Sequence, residues 1–294
     1  MVNLPDDLHV PLIIDHHNVE YRLFERYARF PESAARGLYA RIEAQLMRRW
    51  EAAACARASV ILACSENDKK DFEALDPDRP AVVAPNVVDV HTYPICVEPP
   101  QEQIVLYAGG MDWYPNRDAV QYFAKQMLPL VRERVANVKF VVAGRSPSTE
   151  FLQSIRGVGD VSFTGTVPDM RAEIARASVV VVPLRIGSGT RLKILEACAM
   201  AKPVVSTSVG AEGLSFHHGS EIIIADDPIV FANRVADLLQ DVESARQLGL
   251  SARRNVERNY SLDNMRIALR TAFAHLGRPA PAKTQALRAT EAGA

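Results

Sequence analysis

A glycine-rich loop followed by charged residues is the part of this sequence whose spacing is suited to chemistry. The apolar run 178–183 leads into the loop Gly187-Ser-Gly-Thr190. An amphipathic segment carrying Lys193 and Glu196 then connects the loop to a second apolar run that begins at Pro203. This order predicts a strand, a loop, a helix and a strand, which together form one βαβ unit. Glycines ahead of a helix let backbone N–H groups approach a phosphate, and the helix dipole favours its negative charge. The loop therefore predicts a phosphate site.

The position of Glu196 extends this prediction to a nucleotide. Glu196 follows Gly189 by seven residues, which is about 10 Å along a helix that rises about 1.5 Å per residue. A diphosphate at the start of the helix would place a ribose near the carboxylate. The spacing of Lys193 and Glu196 also fits an ordinary surface ion pair, but the glycine loop beside them favours a nucleoside diphosphate site.

A nicotinamide dinucleotide site is disfavoured. The fingerprint of such sites requires a third small residue where Leu192 stands, and no early Gly-x-Gly-x-x-Gly follows a first strand.

The segment Pro183–Thr207, together with Gly210-Ala-Glu-Gly-Leu214, resembles the nucleotide-binding signature of retaining GT-B glycosyltransferases of glycosyltransferase family 4, also called glycosyl transferases group 1. The family pattern contains two glutamates eight residues apart. Here Glu196 takes the second position, whereas Ser188 takes the first and Arg191 replaces a glycine between them. The resemblance implies that Ser188 and Glu196 bind the donor.

The resemblance also assigns roles to the other residues around this loop. Gly189 and Thr190 are expected to contact the donor. Arg191 and Lys193 are expected to act in catalysis, since they place positive charge beside the departing diphosphate.

Further donor contacts are implied at the ends of other strands. Gly109 and Gly110 follow the first strand of the second half, where many family members carry Gly-Arg-x-x-x-x-Lys-Gly; this chain lacks that Arg and Lys, and Arg117 offers a charge from the next turn. Arg145 is expected to contact phosphate or sugar, and the backbone around Val167 to lie near the nucleobase. For Arg117 an ordinary strand-to-helix turn capped by Pro115-Asn116 fits equally well, and for Arg145 a solvated loop arginine does.

A histidine near the N-terminus is the remaining catalytic candidate. The segment Asp15-His-His-Asn18 follows an apolar run, and retaining GT-B enzymes commonly place a histidine after such a strand, facing the donor sugar. The pattern Asp-x-His-Asn gives this role to His17; the alternative is an exposed loop histidine. Two adjacent histidines at a strand end point apart and no third ligand is evident, so no metal is expected.

The composition restricts partners and location. A formal net charge of −1 gives no electrostatic case for nucleic acid. The four cysteines form no close pairs, as is usual in a reducing cytoplasm. No apolar run approaches the roughly 20 residues that span a bilayer. We expect a cytoplasmic protein, and peripheral contact with the cytoplasmic face of the inner membrane stays open.

The resemblance and the alternation of apolar runs predict an α/β, GT-B-like fold with two Rossmann-like parallel-sheet lobes, the N-terminal lobe being incomplete. The expected parts are a partial acceptor-side lobe (1–85), a linker (86–102), a nucleotide-sugar-binding domain (103–276) and a disordered tail (277–294). Strands are predicted at 10–15, 59–63, 81–84, 104–108, 138–143, 161–163, 179–182, 203–206 and 221–224. Helices are predicted at 19–30, 34–57, 116–134, 148–156, 169–176, 190–201, 228–240 and 243–257.

The small number of strands before the linker carries an expectation of its own. Three strands alone would expose an apolar edge. We therefore expect either a truncated form or a late start codon, with about 100 more residues upstream in a fuller version, and we expect the chain as given to be impaired in transfer.

The function that the resemblance implies is a retaining, hexosyltransferase-like transfer. The sugar would pass from a nucleoside-diphosphate sugar, with no cofactor, to a lipid-linked or polysaccharide acceptor in cell-envelope or exopolysaccharide biosynthesis. One alternative is a non-catalytic nucleotide-sugar-binding remnant, because the first glutamate and the Arg/Lys pair are missing; it would bind donor without releasing nucleotide. The other is a GT-B nucleotide-sugar epimerase, which would need no acceptor.

Overall fold

Three parallel strands form the sheet of the first lobe. The computed structural model describes residues 10–95, 101–155, 157 and 161–276. The strands are β1 (Ile13–His16), β2 (Val60–Ala63) and β3 (Ala81–Val83), and β2 lies in the middle. All four residues of β2 are buried, as expected for the central strand of a parallel sheet with both faces covered. The three strands predicted from sequence are confirmed, with bounds that differ by up to three residues.

Three helices lie between the strands of this lobe along the chain. They are α1 (Glu20–Tyr27) and α2 (Ala34–Arg57), between β1 and β2, and α3 (Glu66–Leu75), between β2 and β3. The start of α1 has no cap from its own side chains. Instead the buried Glu51 of α2 accepts hydrogen bonds from the N–H groups of Glu20 (2.8 Å) and Tyr21 (3.1 Å). These bonds satisfy two of the unpaired donors at a helix start. They also fix the short segment between β1 and α1, which faces the second lobe.

Six parallel strands form the sheet of the second lobe, in the order β6-β5-β4-β7-β8-β9. The strands are β4 (Ile104–Ala108), β5 (Lys139–Ala143), β6 (Val161–Phe163), β7 (Val179–Val182), β8 (Val204–Ser206) and β9 (Ile223–Ile224). All six had been predicted, and the doubly wound α/β architecture is confirmed. Strands β4 to β6 are added in one direction across the sheet and strands β7 to β9 in the other, so the strand order switches between β4 and β7. Ligands of such sheets bind outside the carboxyl ends of the strands at this switch point.

The helices of this lobe are α4 (Tyr114–Tyr122), α5 (Leu128–Arg134), α6 (Thr149–Ser154), α7 (Met170–Arg176), α8 (Leu192–Ala199), α9 (Ser208–Ala211), α10 (Pro228–Gln240) and α11 (Val242–Asn259). The single helix predicted over 116–134 is wrong in one respect. A π-helical turn, Phe123–Met127, separates α4 from α5. Pro129 lies at the start of α5 and has no N–H to continue the regular hydrogen-bond ladder.

A last helix, α12 (Leu262–Leu276), returns to the first lobe. Its Ala268 and Ala272 pack in one buried cluster with Val60, Leu62 and Val82 of the three-stranded sheet. The boundaries predicted from sequence had placed this segment in the second domain. The chain thus crosses between the lobes twice.

Two predicted segments fall partly or wholly outside the described residues. The linker 86–102 contains a 3-10 turn, Val90–Thr92, and its residues 96–100 are not described. The predicted tail 277–294 lies outside the described residues. Within the part that is described, no helix combines the length and apolar character needed to cross a bilayer.

Candidate functional site

The glycine loop between β7 and α8 meets the first lobe at close range. Gly189 has a φ of +69°, and a Cβ built on it would lie 2.3 Å from the carbonyl oxygen of His17. Glycine is therefore required here for two reasons. An L side chain would be strained at this φ, and there is no space for its Cβ. The loop and the end of β1 form the two sides of a junction between the lobes.

Hydrogen bonds anchor the same loop to the first lobe. The Ser188 hydroxyl accepts from the N–H of Val19 and donates to the carbonyl of Val19, both at 2.8 Å. The Asn86 amide donates to the Thr190 hydroxyl at 2.6 Å. Two residues predicted to bind the donor thus make other contacts in this structure: Ser188 joins the loop to the first lobe, and Thr190 joins it to the start of the predicted linker.

Arg26 of α1 adds a charged contact to the junction. Its guanidinium donates to the carbonyl of Gly187 at 2.5 Å and to the carboxylate of Glu212 at 2.6 Å. Glu212 belongs to the Gly-Ala-Glu-Gly-Leu motif identified in the sequence. Arg26 was not predicted as a site residue, because no sequence motif includes it. The pair is half-buried, with side-chain exposures of 20% and 29%.

Arg191 supports the loop from within. It is buried, and its guanidinium donates to the carbonyls of Ser188, Gly189 and Val209. Burial lowers the pKa of Arg191 to about 10, so it remains a cation near neutral pH. Its donors are engaged by backbone oxygens, and its charge lies directly behind the loop. The catalytic role predicted for it stays a prediction.

Lys193 lies in the first turn of α8 and points to the end of β4. Part of the residue is exposed, but its ammonium group is enclosed. The ammonium donates to the Tyr107 hydroxyl (3.0 Å) and to Asn116 Oδ1 (3.2 Å), and it lies 4.2 Å from the centre of the Tyr107 ring. Gly109 leaves it room, since a Cβ there would lie 2.9 Å from Nζ.

The electrostatic state of Lys193 is unusual for a lysine. Burial, and then the charge of Arg191, lower the pKa of Lys193 to about 7, while Glu196 acts in the opposite direction. Among the ion pairs of the described residues none involves Lys193. The enclosed ammonium therefore lacks a carboxylate partner at the place where a parallel sheet of this type binds ligands.

Glu196 lies three residues further along α8. Its carboxylate accepts a hydrogen bond from the Tyr93 hydroxyl at 3.0 Å. Burial raises the pKa of Glu196, and the Tyr93 bond and Lys193 oppose that rise. The sequence prediction placed a ribose at this carboxylate; Tyr93, from the linker, is a neighbour that the prediction missed.

The two loop arginines predicted to contact the donor have protein partners. Arg117 donates to the carboxylate of Glu32 in the first lobe at 2.9 Å, and to two backbone carbonyls of its own turn. Arg145 forms an ion pair with Asp112 at 2.8 Å, and 71% of its side chain is exposed. Arg145 lies beside Gly110, at 3.6 Å from the position of a Cβ on that glycine. Arg117 is therefore committed to a contact between the lobes, and Arg145 remains at the mouth of the site.

The two adjacent histidines lie in different surroundings. The His16 ring stacks on Phe72 at 4.2 Å, and burial lowers its pKa. His17 is exposed, with Nε2 at 3.7 Å from the carboxylate of Asp15. The backbone carbonyl of His17 lies beside Gly189 of the glycine loop. Among the described residues, no group of three His, Cys, Asp or Glu side chains could hold a metal ion.

Val167, whose backbone was predicted to lie near the nucleobase, follows β6 and is half-buried.

Tyr107 and Asn116 contact Lys193 but were not among the predicted site residues. A signal for Tyr107 was present, because a tyrosine within a buried strand needs a partner for its hydroxyl.

An apolar cavity opens on the side of the first lobe. It has a volume of about 330 Å³ and lies between α1, α2 and the start of α4, where its lining includes Leu23, Tyr27, Tyr39, Trp113 and Tyr114. Both lobes contribute to it.

The comparison with protein families finds a similarity within the second lobe. Residues 102–241 match the family model "Glycosyl transferases group 1". This segment contains Gly109, Lys193 and Glu196, and so it includes the centre of the site described above. The second lobe is similar to this family over these residues.

A curated relative and two solved structures resemble the chain. A protein of Klebsiella pneumoniae named "Uncharacterized 44.6 kDa protein in cps region" is 24% identical over 163 residues, which are 53% of this chain and 42% of that protein. A sucrose-phosphate synthase of Thermosynechococcus elongatus superposes with a TM-score of 0.73 at 18% identity, over 92% of this chain and 69% of that one. Anabaena HepE, in complex with UDP-glucose, gives a TM-score of 0.66 at 15% identity, over 90% and 72%.

These comparisons establish the fold as GT-B, with one lobe less complete than the other. The chain spans less than half of the length of the Klebsiella relative.

Proposed function

We propose that the protein is a retaining glycosyltransferase. It binds a nucleoside-diphosphate sugar in its second lobe and transfers the sugar to a lipid-linked or polysaccharide acceptor in cell-envelope or exopolysaccharide biosynthesis. The similarity of residues 102–241 to the family model "Glycosyl transferases group 1" supports the transfer reaction. The resemblance of the Ser188–Glu196 segment to retaining enzymes supports retention.

The observation that carries the proposal is the enclosed ammonium of Lys193. It lies beside Gly109 at the end of β4 and within the first turn of α8, without a carboxylate partner among the ion pairs of the described residues. A buried cation is stable only with a compensating charge or hydrogen bonds. A diphosphate bound at the start of α8 supplies that charge and also interacts favourably with the helix dipole.

The chemistry follows from the same position. When the bond between sugar and diphosphate breaks, negative charge grows on the diphosphate. Lys193 and the backbone N–H groups of the loop stabilise that charge without rearranging, which is an effective way to lower a barrier. Arg191, behind the loop, adds to the positive potential. His17 is proposed to face the donor sugar from the first lobe, and Glu196 to accept hydrogen bonds from the ribose.

The proposed acceptor side is the surface of α2. Four large apolar residues spaced four apart, Leu38, Ile42, Leu46 and Trp50, are between 40% and 61% exposed. Residues at this spacing are neighbours on one face of a helix. An exposed apolar stripe of this kind marks an interaction surface rather than scattered surface residues.

The charges on α2 favour an anionic membrane as the occupant of that stripe. Arg41, Arg48 and Arg49 are exposed, whereas Glu51, one of two acidic residues of the helix, is buried. Apolar and aromatic side chains flanked by arginines are typical of helices that lie in a membrane interface. The apolar cavity adjoins the stripe through Tyr39 and is proposed to receive the apolar part of a lipid-linked acceptor. The protein would then work at the cytoplasmic face of the membrane.

One observation favours a second candidate, a nucleotide-sugar-binding protein without catalysis. Ser188 stands where the resembled pattern has a glutamate, and its hydroxyl is used by the Val19 backbone. A donor-sugar contact is therefore missing from its expected place. This candidate predicts donor binding with no release of nucleotide, even when acceptor is supplied.

Calorimetric titration with UDP, ADP and GDP tests the proposed donor site. At least one of them should bind, and Lys193→Ala should weaken that binding at least tenfold. The matched control is Lys125→Ala, which removes an exposed lysine of the same lobe and should bind as the unmodified protein does. If none of the three nucleotides binds, or if both variants behave alike, the site is wrong. Hydrolysis or transfer of the sugar from the matching donor separates the enzyme from the binding protein.

A further inference from the structure

Two neutral side chains fix the position of the Lys193 ammonium. The Tyr107 hydroxyl, at the end of β4, donates to Asn116 Oδ1 at 2.7 Å. The Asn116 amide nitrogen donates to the carbonyl of Gly110 at 2.9 Å, which sets the amide so that its oxygen faces the ammonium. Both oxygens accept from Lys193. The ammonium is thus held by a closed network of hydrogen bonds.

In the part of the chain that the structure describes, no carboxylate forms an ion pair with this ammonium. On its own helix, Arg191 opposes the charge of Lys193 and Glu196 favours it. From β4 comes only the neutral Tyr107, whose pKa burial raises further. From α4 comes Asp118, but its carboxylate binds the Arg185 guanidinium at 2.6 and 3.1 Å. Hydrogen-bond acceptors therefore orient the ammonium without cancelling its charge.

We propose that Tyr107 and Asn116 are positioning residues that hold Lys193 for an incoming diphosphate, and that binding of the diphosphate takes up a proton at this lysine. This inference rests on the proposed function and adds two residues and a proton to it. A carboxylate in place of Asn116 would pair with Lys193 permanently and would repel a phosphate. A neutral amide avoids both effects.

The direction of the pH dependence follows from linkage. In the free protein the pKa of Lys193 is about 7, so at pH 8 most molecules carry a neutral amine. A bound diphosphate favours the ammonium and raises its pKa, so between the two pKa values binding takes up close to one proton. Below the free pKa the proton is already present and uptake vanishes. Affinity should fall as pH rises above 7, by at most about tenfold per pH unit.

Isothermal titration of UDP in two buffers with different enthalpies of ionisation measures the proton count directly. ADP or GDP replaces UDP if it binds more tightly. At pH 8 the unmodified protein should take up between half a proton and one proton, and at pH 6 that uptake should be much smaller. Lys193→Met should bind weakly and take up none.

Asn116→Asp is the decisive variant. It introduces a carboxylate 3.2 Å from the ammonium with little change in shape, which keeps Lys193 charged in the free protein. Uptake at pH 8 should disappear and UDP should bind at least tenfold more weakly. Asn233→Asp makes the same change on the exposed face of α10 and should match the unmodified protein. A merely structural Asn116 would alter thermal stability and leave proton uptake intact, which would overturn the inference.

Tyr107→Phe keeps the buried ring and removes only the hydroxyl. It protects the test if Asn116→Asp fails to fold. With one acceptor fewer, the ammonium is less stabilised, so the pKa of Lys193 should fall and the loss of affinity should begin at a lower pH. An unchanged pH profile would contradict the positioning role. If UDP binds the unmodified protein at pH 8 with no proton uptake, the inference fails while the proposed function stands; if no nucleoside diphosphate binds, both fail.

Discussion

Ser188 and Val19, 169 residues apart in the chain, are joined by two reciprocal hydrogen bonds of 2.8 Å across the junction of the lobes. A hydroxyl can donate and accept at once, and it does both here with the backbone of one residue. The position that the sequence pattern associates with the donor therefore sets the distance between the strand end that carries His17 and the glycine loop.

Ser188→Ala should weaken the junction more than the donor site. It leaves the N–H of Val19, a buried residue, without a partner, and an unsatisfied buried polar group costs about 1–3 kcal/mol. Urea unfolding should show a loss of this size, while nucleotide affinity changes less than twofold. Ser162→Ala, on an exposed position of β6, is the control and should be neutral. A large loss of nucleotide affinity with unchanged stability would mean that Ser188 contacts the donor.

Gly189→Ala tests the close approach of the lobes. The new Cβ is strained at a φ of +69° and would lie 2.3 Å from the carbonyl of His17. Gly219→Ala is a matched control, because Gly219 also has a positive φ, +85°, with nothing within 4 Å of its Cβ position. The control should lose about 1–2 kcal/mol from backbone strain alone.

Thermal unfolding of the two glycine variants gives the comparison. Gly189→Ala should melt clearly below Gly219→Ala, and it should also bind nucleotide more weakly, since the loop must move away from the first lobe. Equal melting temperatures would show that the lobes do not meet at this loop in solution.

The sequence predicted the second sheet well for a physical reason. Parallel strands buried on both faces are continuous apolar runs such as Val179–Val182, and short runs separated by helical segments leave little ambiguity. Lys193 and Glu196 could be selected as site residues from the sequence because their spacing depends on a single helix and not on contacts between distant parts of the chain.

Contacts between distant parts of the chain could not be predicted in this way. Nothing local to Arg117 indicates that its partner is Glu32, and nothing local to Ser188 indicates Val19. The return of α12 to the first sheet is likewise a packing result, since its Ala268 and Ala272 fit either lobe by pattern alone. Local periodicity predicts elements, whereas the partners of loop side chains depend on the assembled fold.

Glu196→Ala should weaken nucleotide binding without unfolding the protein. A charge-assisted hydrogen bond to a ribose hydroxyl contributes about 1.5–3 kcal/mol, which corresponds to more than tenfold in affinity. Glu133→Ala, an exposed glutamate at the end of α5, is the control. Calorimetry with the bound nucleotide and with its 2′,3′-dideoxy analogue separates the ribose contact from other effects. The analogue lacks the ribose hydroxyls, so it should bind the unmodified protein and Glu196→Ala with equal affinity. Unchanged affinity of Glu196→Ala for the intact nucleotide would remove Glu196 from the site.

The exposed stripe on α2 predicts binding to anionic membranes. Vesicles containing phosphatidylglycerol should sediment the protein, and pure phosphatidylcholine vesicles should not, because the arginines beside the stripe add attraction only to a negative surface. Leu46→Ser with Trp50→Ser should abolish sedimentation by removing apolar area that would enter the interface. Ile229→Ser with Val242→Ser replaces two comparably exposed residues of the second lobe, 58% and 54% exposed, and should sediment as before. Both double variants should bind nucleotide normally, since neither touches the glycine loop.

Equal sedimentation of the two double variants would show that α2 is not the membrane surface. If the protein ignores anionic vesicles but forms a dimer that the α2 variant alone disrupts, the stripe is covered by a second copy of the chain, and the acceptor is reached from solution.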